Sequence, residues 1–137
     1  LKKIKKRIKI LKLENDIKIF EPVYSIEKKQ NIYSYADCFI LPSKSENFGI
    51  SIAEALSYSL PVLTTTATPW QEIQKKNAGI IFNMSQANLD LSLKKFLSKP
   101  NDELYQMGLN GKKLIKDKFD QSVIIEEYVN LYKNLIK

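Results

Sequence analysis

Apolar residues recur along this chain in two periods, and the alternation of the two lays out its elements. Leu1, Ile4, Ile8 and Leu11 stand at helical spacing with lysines between them, which predicts an amphipathic helix over residues 1–13. Asn15-Asp16 reads as a turn, and Ile17-Lys18-Ile19-Phe20 alternates into a short strand ended by Pro22. Ser25 to Tyr35 reads as a helix leading into a buried strand, Cys38-Phe39-Ile40-Leu41. A polar loop with one glycine follows, and then a helix that carries Ile52, Ala53, Ala55 and Leu56. Leu60 to Thr65 is β-branched enough for another strand. Thr68-Pro69-Trp70-Gln71-Glu72 opens a further helix, with Thr68 suited to the N-cap and Pro69 to the first helical position. Asn77-Ala78-Gly79 ends it, and Ile80-Ile81-Phe82 forms a short strand.

From Ser85 onward the period is helical throughout. Leu89, Leu93, Phe96 and Leu97 make one apolar face, which Pro100 stops. Asp102 begins a helix through Leu104, Met107, Leu114 and Ile115, and Asp120 caps a last one with a stripe at Ile124, Tyr128, Leu131 and Leu135. Strands alternating with helices, followed by helices alone, predict an α/β fold: a Rossmann-like parallel sheet with a helical C-terminal tail. The 137 residues, 44% apolar, suffice for one domain over residues 1–137. Repeats, low-complexity tracts and linkers are not evident.

The loop after the first buried strand holds the candidate chemistry. Ser43-Lys44-Ser45-Glu46-Asn47-Phe48-Gly49 runs into the helix Ile50-Ser51-Ile52-Ala53-Glu54. Gly49 permits close backbone approach, and the N–H groups near Gly49, Ile50 and Ser51 face an anion with the helix dipole behind them. Glu46 and Glu54 flank that point. Carboxylates repel phosphate and suit hydroxyls, so one fits a sugar, the other a ribose, with the phosphates between them. A nucleotide-sugar satisfies all three features. The competing reading is structural: Glu46 complements the helix dipole and Glu54 is a solvated helix residue.

Charge changes the picture at one end only. The formal net charge is +7, and residues 1–13 hold seven basic residues and no acidic one, which leaves the remainder neutral. That helix fits either an anionic membrane surface or a solvated face whose stripe packs on the domain. Aromatic residues are not interleaved with its lysines, which argues against nucleic acid. The lone Cys38 lies in an apolar strand pattern, as a buried structural thiol would, and fits a reducing, cytoplasmic compartment. The basic N-terminus is not followed by an apolar signal-peptide core. With no histidine and one cysteine, a zinc site is not expected. Trp70 suits sugar stacking or a buried anchor at a helix start.

Pro42-Ser43, then Glu46-Asn47-Phe48-Gly49 and Glu54-Ala55 with seven residues between the two glutamates, followed by Leu60-Pro61-Val62, resemble the Glu-seven-Glu motif of retaining, nucleotide-sugar-dependent glycosyltransferases of the GT-B fold, family four. The resemblance continues through Thr68-Pro69-Trp70-Gln71-Glu72 and Ala78-Gly79-Ile80-Ile81-Phe82 to Phe119, Tyr128, Leu131 and Tyr132, and covers roughly residues 17 to 137. Two positions depart from the pattern: Glu21 and Ser59 stand where the family has glycine.

The resemblance implies the C-terminal, donor-binding lobe of a GT-B enzyme. By motif position, Glu46 would contact the donor sugar hydroxyls as the catalytic glutamate, and Glu54 the ribose. The backbone of Asn47, Phe48, Gly49, Ile50 and Ser51 would hold the sugar and pyrophosphate. It implies a retaining transfer with no metal and no cofactor, a UDP- or GDP-sugar as donor, and a place in surface polysaccharide or lipopolysaccharide synthesis, cytoplasmic and at the inner face of the cell membrane. It also implies an acceptor lobe and a diphosphate-binding Arg and Lys at the start of the donor lobe. Neither matches this chain, whose only arginine, Arg7, lies in the basic helix. The isolated chain is therefore expected to turn over little or no substrate. The implied partners are the acceptor lobe, or a second copy, through the C-terminal helix, and an anionic membrane. The alternative is a non-catalytic nucleotide-sugar-binding or interaction module that keeps the scaffold. A sugar-nucleotide epimerase, which shares the fold class, is a third reading that the lack of histidine and the Glu46-Asn47-Phe48-Gly49 sequence disfavour.

Overall fold

A computed structural model describes residues 1–136 of the chain. The helices are α1 (Lys2–Ile10), α2 (Ile26–Ser34), α3 (Ile50–Ser57), α4 (Glu72–Lys75), α5 (Gln86–Leu97), α6 (Asn101–Phe119) and α7 (Gln121–Leu135). The strands are β1 (Phe39–Leu41), β2 (Val62–Thr65) and β3 (Gly79–Phe82). They form one parallel sheet in the order β1-β2-β3, with Phe39 opposite Val62 and Val62 opposite Gly79. This is the predicted parallel sheet with a helical tail.

β2 is central and buried along its whole length, as a strand paired on both edges and covered on both faces must be. Val62 joins a core with Ile52, Ala55 and Leu56 of α3, Ile73 of α4, Leu114 of α6, and Leu60, Trp70 and Ala78. Leu63, which the strand period turns to the other face, lies outside that cluster. α5 packs on β2 and β3 and buries Phe96. α6 crosses α3 at close range: a Cβ on Gly108 would stand 1.9 Å from the Ser59 carbonyl oxygen, and one on Gly111 would stand 2.6 Å from Leu56 Cδ2.

Three helices close with the same hydrogen-bond pattern. After α3, Ser59 N–H donates to Leu56 O and Leu60 N–H to Ala55 O, both at 3.0 Å. After α4, Asn77 N–H donates to Gln74 O and Ala78 N–H to Ile73 O, and after α1 Lys12 and Leu13 repeat the arrangement on Lys9 and Ile8. These are Schellman closures, and they require a left-handed residue. Lys12, Ser59 and Asn77 accordingly take φ of 55°, 60° and 50°. None is glycine, so each closure carries some backbone strain, least at asparagine.

Two expectations are corrected. Ile17 to Phe20 forms no strand, because a strand exists through its ladder and β1, the edge of the sheet, pairs only with β2 among the described residues. Those four residues are exposed instead. The helix expected from Thr68 begins only at Glu72, with Gln71 at its N-cap. The Thr68 hydroxyl donates to Thr65 O at 3.0 Å, inside a turn that ends β2, and so caps nothing. The Asp120 cap forms as expected, its carboxylate accepting from Ser122 N–H at 3.0 Å, and the structure adds two more: Ser25 accepts from Lys28 N–H and Ser85 from Asn88 N–H.

α1 forms as predicted, but its apolar stripe is largely uncovered: Leu1, Ile4, Ile10 and Leu11 are all exposed, and the helix buries no residue. No described helix is long and apolar enough to cross a membrane.

Candidate functional site

The polar loop leaves the C-terminal end of β1 and is fastened from β2. Thr64 Oγ1 donates to Leu41 O at 2.9 Å, and Thr65 Oγ1 donates to Ser43 O at 2.6 Å. Two consecutive threonine hydroxyls in a buried strand are thereby satisfied, as burial demands, and the loop's start is fixed by them. Ser43 Oγ donates to Ser45 O at 2.9 Å and tightens the next turn.

The loop's end is fixed by Trp70, which is 3% exposed and donates its indole N–H to Phe48 O. Its ring packs against Phe48 and Phe119 with centroids 5.3 and 5.7 Å away, and Phe48 meets Phe119 edge-on at 5.5 Å. Of the two roles weighed for Trp70, the structure gives it that of the buried anchor.

Gly49 stands between the loop and α3 with φ of 78° and ψ of 59°, in the left-handed region. A Cβ there would lie 3.2 Å from both Ile52 Cδ1 and Trp70 Nε1, so conformation and space both call for glycine. As N-cap it contributes no side-chain acceptor. Ile52 and Ala53 turn their N–H groups back onto the Gly49 carbonyl at 2.9 and 3.3 Å. The N–H groups of Ile50 and Ser51 are those that a helix start leaves for an outside acceptor. They border an open hollow of about 590 Å³ lined by residues 45–51. Glu46 is half-buried in that lining, and Asn47 and Phe48 are exposed at its rim.

Glu54 sits on the following turn of α3, and it is not a freely solvated carboxylate. Lys29 Nζ lies 2.6 Å from its Oε1, and Tyr33 OH donates to its Oε2 at 3.2 Å. Tyr33 is itself stacked on Tyr58 with centroids 5.0 Å apart. Burial, then the neighbouring Glu54 carboxylate, pushes the Tyr33 phenol up to about 12, so it remains a proton donor at neutral pH. Lys29 and Tyr33 were not among the residues singled out from sequence. Their spacing of four on a helix was the available signal, but α2 lacks an obvious apolar face against which to read it.

All the residues picked from sequence therefore lie on one strand–loop–helix unit, at the C-terminal end of a parallel sheet, where open α/β folds bind ligands. Cys38 is half-buried next to β1, and burial, then Asp37, holds its thiol above its ordinary value, which makes it a poor nucleophile. Among the described residues no three His, Cys, Asp or Glu cluster as metal ligands do.

Comparison with known proteins adds an independent finding. The sequence model of the family described as "Glycosyl transferases group 1" matches residues 1–114. The O-antigen biosynthesis glycosyltransferase WclY of Escherichia coli is 25% identical over 123 residues, which is 88% of this chain and 34% of that protein. The capsular polysaccharide biosynthesis glycosyltransferase CapM of Staphylococcus aureus is 27% identical over 110 residues, 78% of this chain and 28% of that protein. The chain thus spans about a third of the length of these curated relatives. Among solved structures, a sucrose-phosphate synthase from Thermosynechococcus elongatus matches 98% of this chain and 34% of its own, with a TM-score of 0.82 at 20% identity. WaaG, a glycosyltransferase involved in lipopolysaccharide biosynthesis, matches 95% of this chain and 35% of its own, with a TM-score of 0.73 at 22% identity. These two likenesses establish a GT-B type of fold.

Proposed function

The chain belongs to the group 1 glycosyl transferases, and from that premise we propose that it is a donor-binding lobe that holds a nucleoside-diphosphate sugar for metal-independent, retaining transfer. The observation that carries the reading is Gly49. Its left-handed backbone turns the loop into α3, and the first residues of that helix, Ile50 and Ser51, line the same hollow as residues 45–48.

In this reading the diphosphate lies at the N-terminus of α3, where Gly49, Ile50 and Ser51 N–H groups and the helix dipole stabilise the charge that grows on it as the glycosyl bond breaks. Glu46 contacts the hydroxyls of the donor sugar, with the backbone of Asn47 and Phe48 beside it, and Glu54 accepts from the ribose. The donor is a UDP- or GDP-sugar. The names of the curated relatives support a place in O-antigen or capsular polysaccharide synthesis. The acceptor is bound by another lobe, and the exposed side of α7 is where that lobe, or a second copy, would dock. α1 would hold the protein to the inner face of an anionic membrane; failure to co-sediment with anionic vesicles at low salt would dismiss that part.

The test is calorimetric titration of the chain with UDP-sugars and GDP-sugars, run also on Glu46→Ala and Glu54→Ala. Saturable binding of one donor, weakened about tenfold or more in each variant, is expected. Transfer should then return when a separately expressed acceptor lobe, with the start of the donor lobe, is added. A folded chain that binds no donor would overturn the proposal. A second reading, a non-catalytic interaction module, draws on the Lys29–Glu54 pair, which satisfies the carboxylate without a ligand. Equal weak binding by wild type and Glu54→Ala would favour it.

A further inference from the structure

α2 is exposed along its length except at two positions, Lys29 and Tyr33, one helical turn apart. Both of these half-buried side chains end on the same group. Lys29 Nζ takes Oε1 of Glu54 at 2.6 Å, and Tyr33 OH takes Oε2 at 3.2 Å. The inward face of α2 is in effect a two-donor clamp on one carboxylate.

We infer that Lys29 and Tyr33 are positioning residues: each fixes one oxygen of Glu54 so that the remaining lone pairs form a pre-oriented acceptor for the two adjacent hydroxyls of a ribose. The inference rests on the donor-binding reading above and deepens it. A carboxylate offers about four lone-pair sites, of which the clamp uses two. The Glu54 side chain keeps 30% of its surface open and that of Lys29 keeps 32%, so the clamp is not sealed against a ligand. A freely rotating glutamate would lose rotamer entropy on binding a diol, and a clamped one has already lost it on folding. Tyr33 is held in turn by its stack on Tyr58, so the clamp is stiff at one jaw.

A purely structural clamp, whose task is to dock α2, makes a different prediction, and the ribose separates the two. The measurement is calorimetric titration of the chain with UDP, GDP and their 2′-deoxy and 3′-deoxy counterparts, on wild type, Lys29→Met and Tyr33→Phe. Circular dichroism confirms that each variant is folded. The wild type should bind the ribonucleotide about tenfold more tightly than either deoxy form, the worth of one lost hydrogen bond to a charged group. In Lys29→Met that ratio should shrink to about threefold or less, and in Tyr33→Phe it should shrink partway, while affinity for the deoxy forms stays near the wild-type value. If both variants keep the wild-type ratio, or if ribo and deoxy forms weaken together, Lys29 and Tyr33 only dock α2 and the inference is overturned. Should the folded wild type bind neither diphosphate, the donor reading itself fails and takes the inference with it. The two failures are therefore distinct.

Discussion

Trp70 donates its indole N–H to the main-chain carbonyl of Phe48, one residue before the left-handed Gly49. A side chain from beyond β2 thus sets the last peptide of the motif loop, and the aromatic contact with Phe119 ties the same loop to the end of α6. Trp70→Phe keeps most of the buried ring and removes the donor. Leaving the Phe48 carbonyl unpaired should cost about 1–3 kcal/mol of stability, read as a lower urea midpoint, and should weaken donor binding by loosening the loop. An unchanged midpoint would mean that the bond contributes nothing.

Gly49→Ala tests the other side of the same joint. A left-handed alanine costs about 1–2 kcal/mol, and its methyl would press on Ile52 and Trp70 at 3.2 Å. Donor affinity should fall along with stability, because the N–H groups of Ile50 and Ser51 are aimed by this residue. Gly108→Ala is the control: its methyl would collide with the Ser59 carbonyl at 1.9 Å, far from the loop. It should destabilise more strongly than Gly49→Ala. Any affinity lost there should follow the unfolded fraction alone.

Ser59 offers a change in the opposite direction. It closes α3 at φ of 60°, in the Schellman geometry that glycine adopts without strain. Ser59→Gly relieves that strain and gives back part of the gain as unfolded-chain entropy. The net expectation is a stabilisation of about 0.5–1 kcal/mol in chemical denaturation. Asn77→Gly, at the matching position after α4, should gain less, because asparagine tolerates the left-handed region. A destabilised Ser59→Gly would show that the serine side chain contributes more than its backbone strain removes.

Much of this architecture is legible in the sequence because it depends on local period and on a motif. The β-branched run Leu60 to Thr65 reads as a strand, which the structure forms over Val62–Thr65, and the Glu-seven-Glu spacing marked the strand–loop–helix unit that the structure forms at residues 39–57. What was not legible depends on partners distant in the chain. Ile17 to Phe20 has the alternation of a strand, but alternation does not supply a ladder. Thr68 has the chemistry of an N-cap, yet Thr65 O, three residues back, takes its hydroxyl. The Lys29–Glu54–Tyr33 cluster joins two helices across the fold, and no spacing along the chain announces a contact between residues 25 positions apart. The residues proposed for the site could be read together because they are contiguous in the chain; the Lys29–Glu54–Tyr33 cluster could not, because its members are not.

The raised phenol of Tyr33 gives the cluster a signature in alkali. Its folded value of about 12 lies above the ordinary value of 10, so the folded state holds this proton more tightly than the unfolded chain does. The associated stability is fully present below pH 10 and is lost as the pH rises from 10 through 12. Denaturation midpoints should therefore fall over that window, and fall less in Tyr33→Phe, which has no proton to lose. In Glu54→Gln the phenol should titrate closer to 10, because the carboxylate that opposes its ionisation is gone. Difference absorbance or assigned tyrosine ring resonances would follow it. A Tyr33 that ionises at its ordinary value in the wild type would remove the burial and the contact from the account.

The last helix carries a prediction about assembly. Tyr128, Leu131 and Leu135 follow one another at helical spacing and are 58%, 53% and 70% exposed. Beside them a hollow of about 420 Å³ is lined by Phe119, Ile124, Tyr128 and Leu131, with Lys118 and Glu127 at the same hollow, so the stripe itself forms part of a concave, mainly apolar surface. Covering one leucine is worth about 1.5–3 kcal/mol, and several such side chains in register exceed what a weak dimer needs. The chain on its own should self-associate through α7, with a sedimentation coefficient that rises with concentration. Leu131→Glu, which places a charge in the middle of the stripe without touching the core, should return it to a monomer and leave its denaturation midpoint at low concentration unchanged. A chain that sediments as a monomer at the highest attainable concentration would show that the stripe does not pair with itself. The acceptor lobe would then be the partner to add, with Leu131→Glu expected to block its docking.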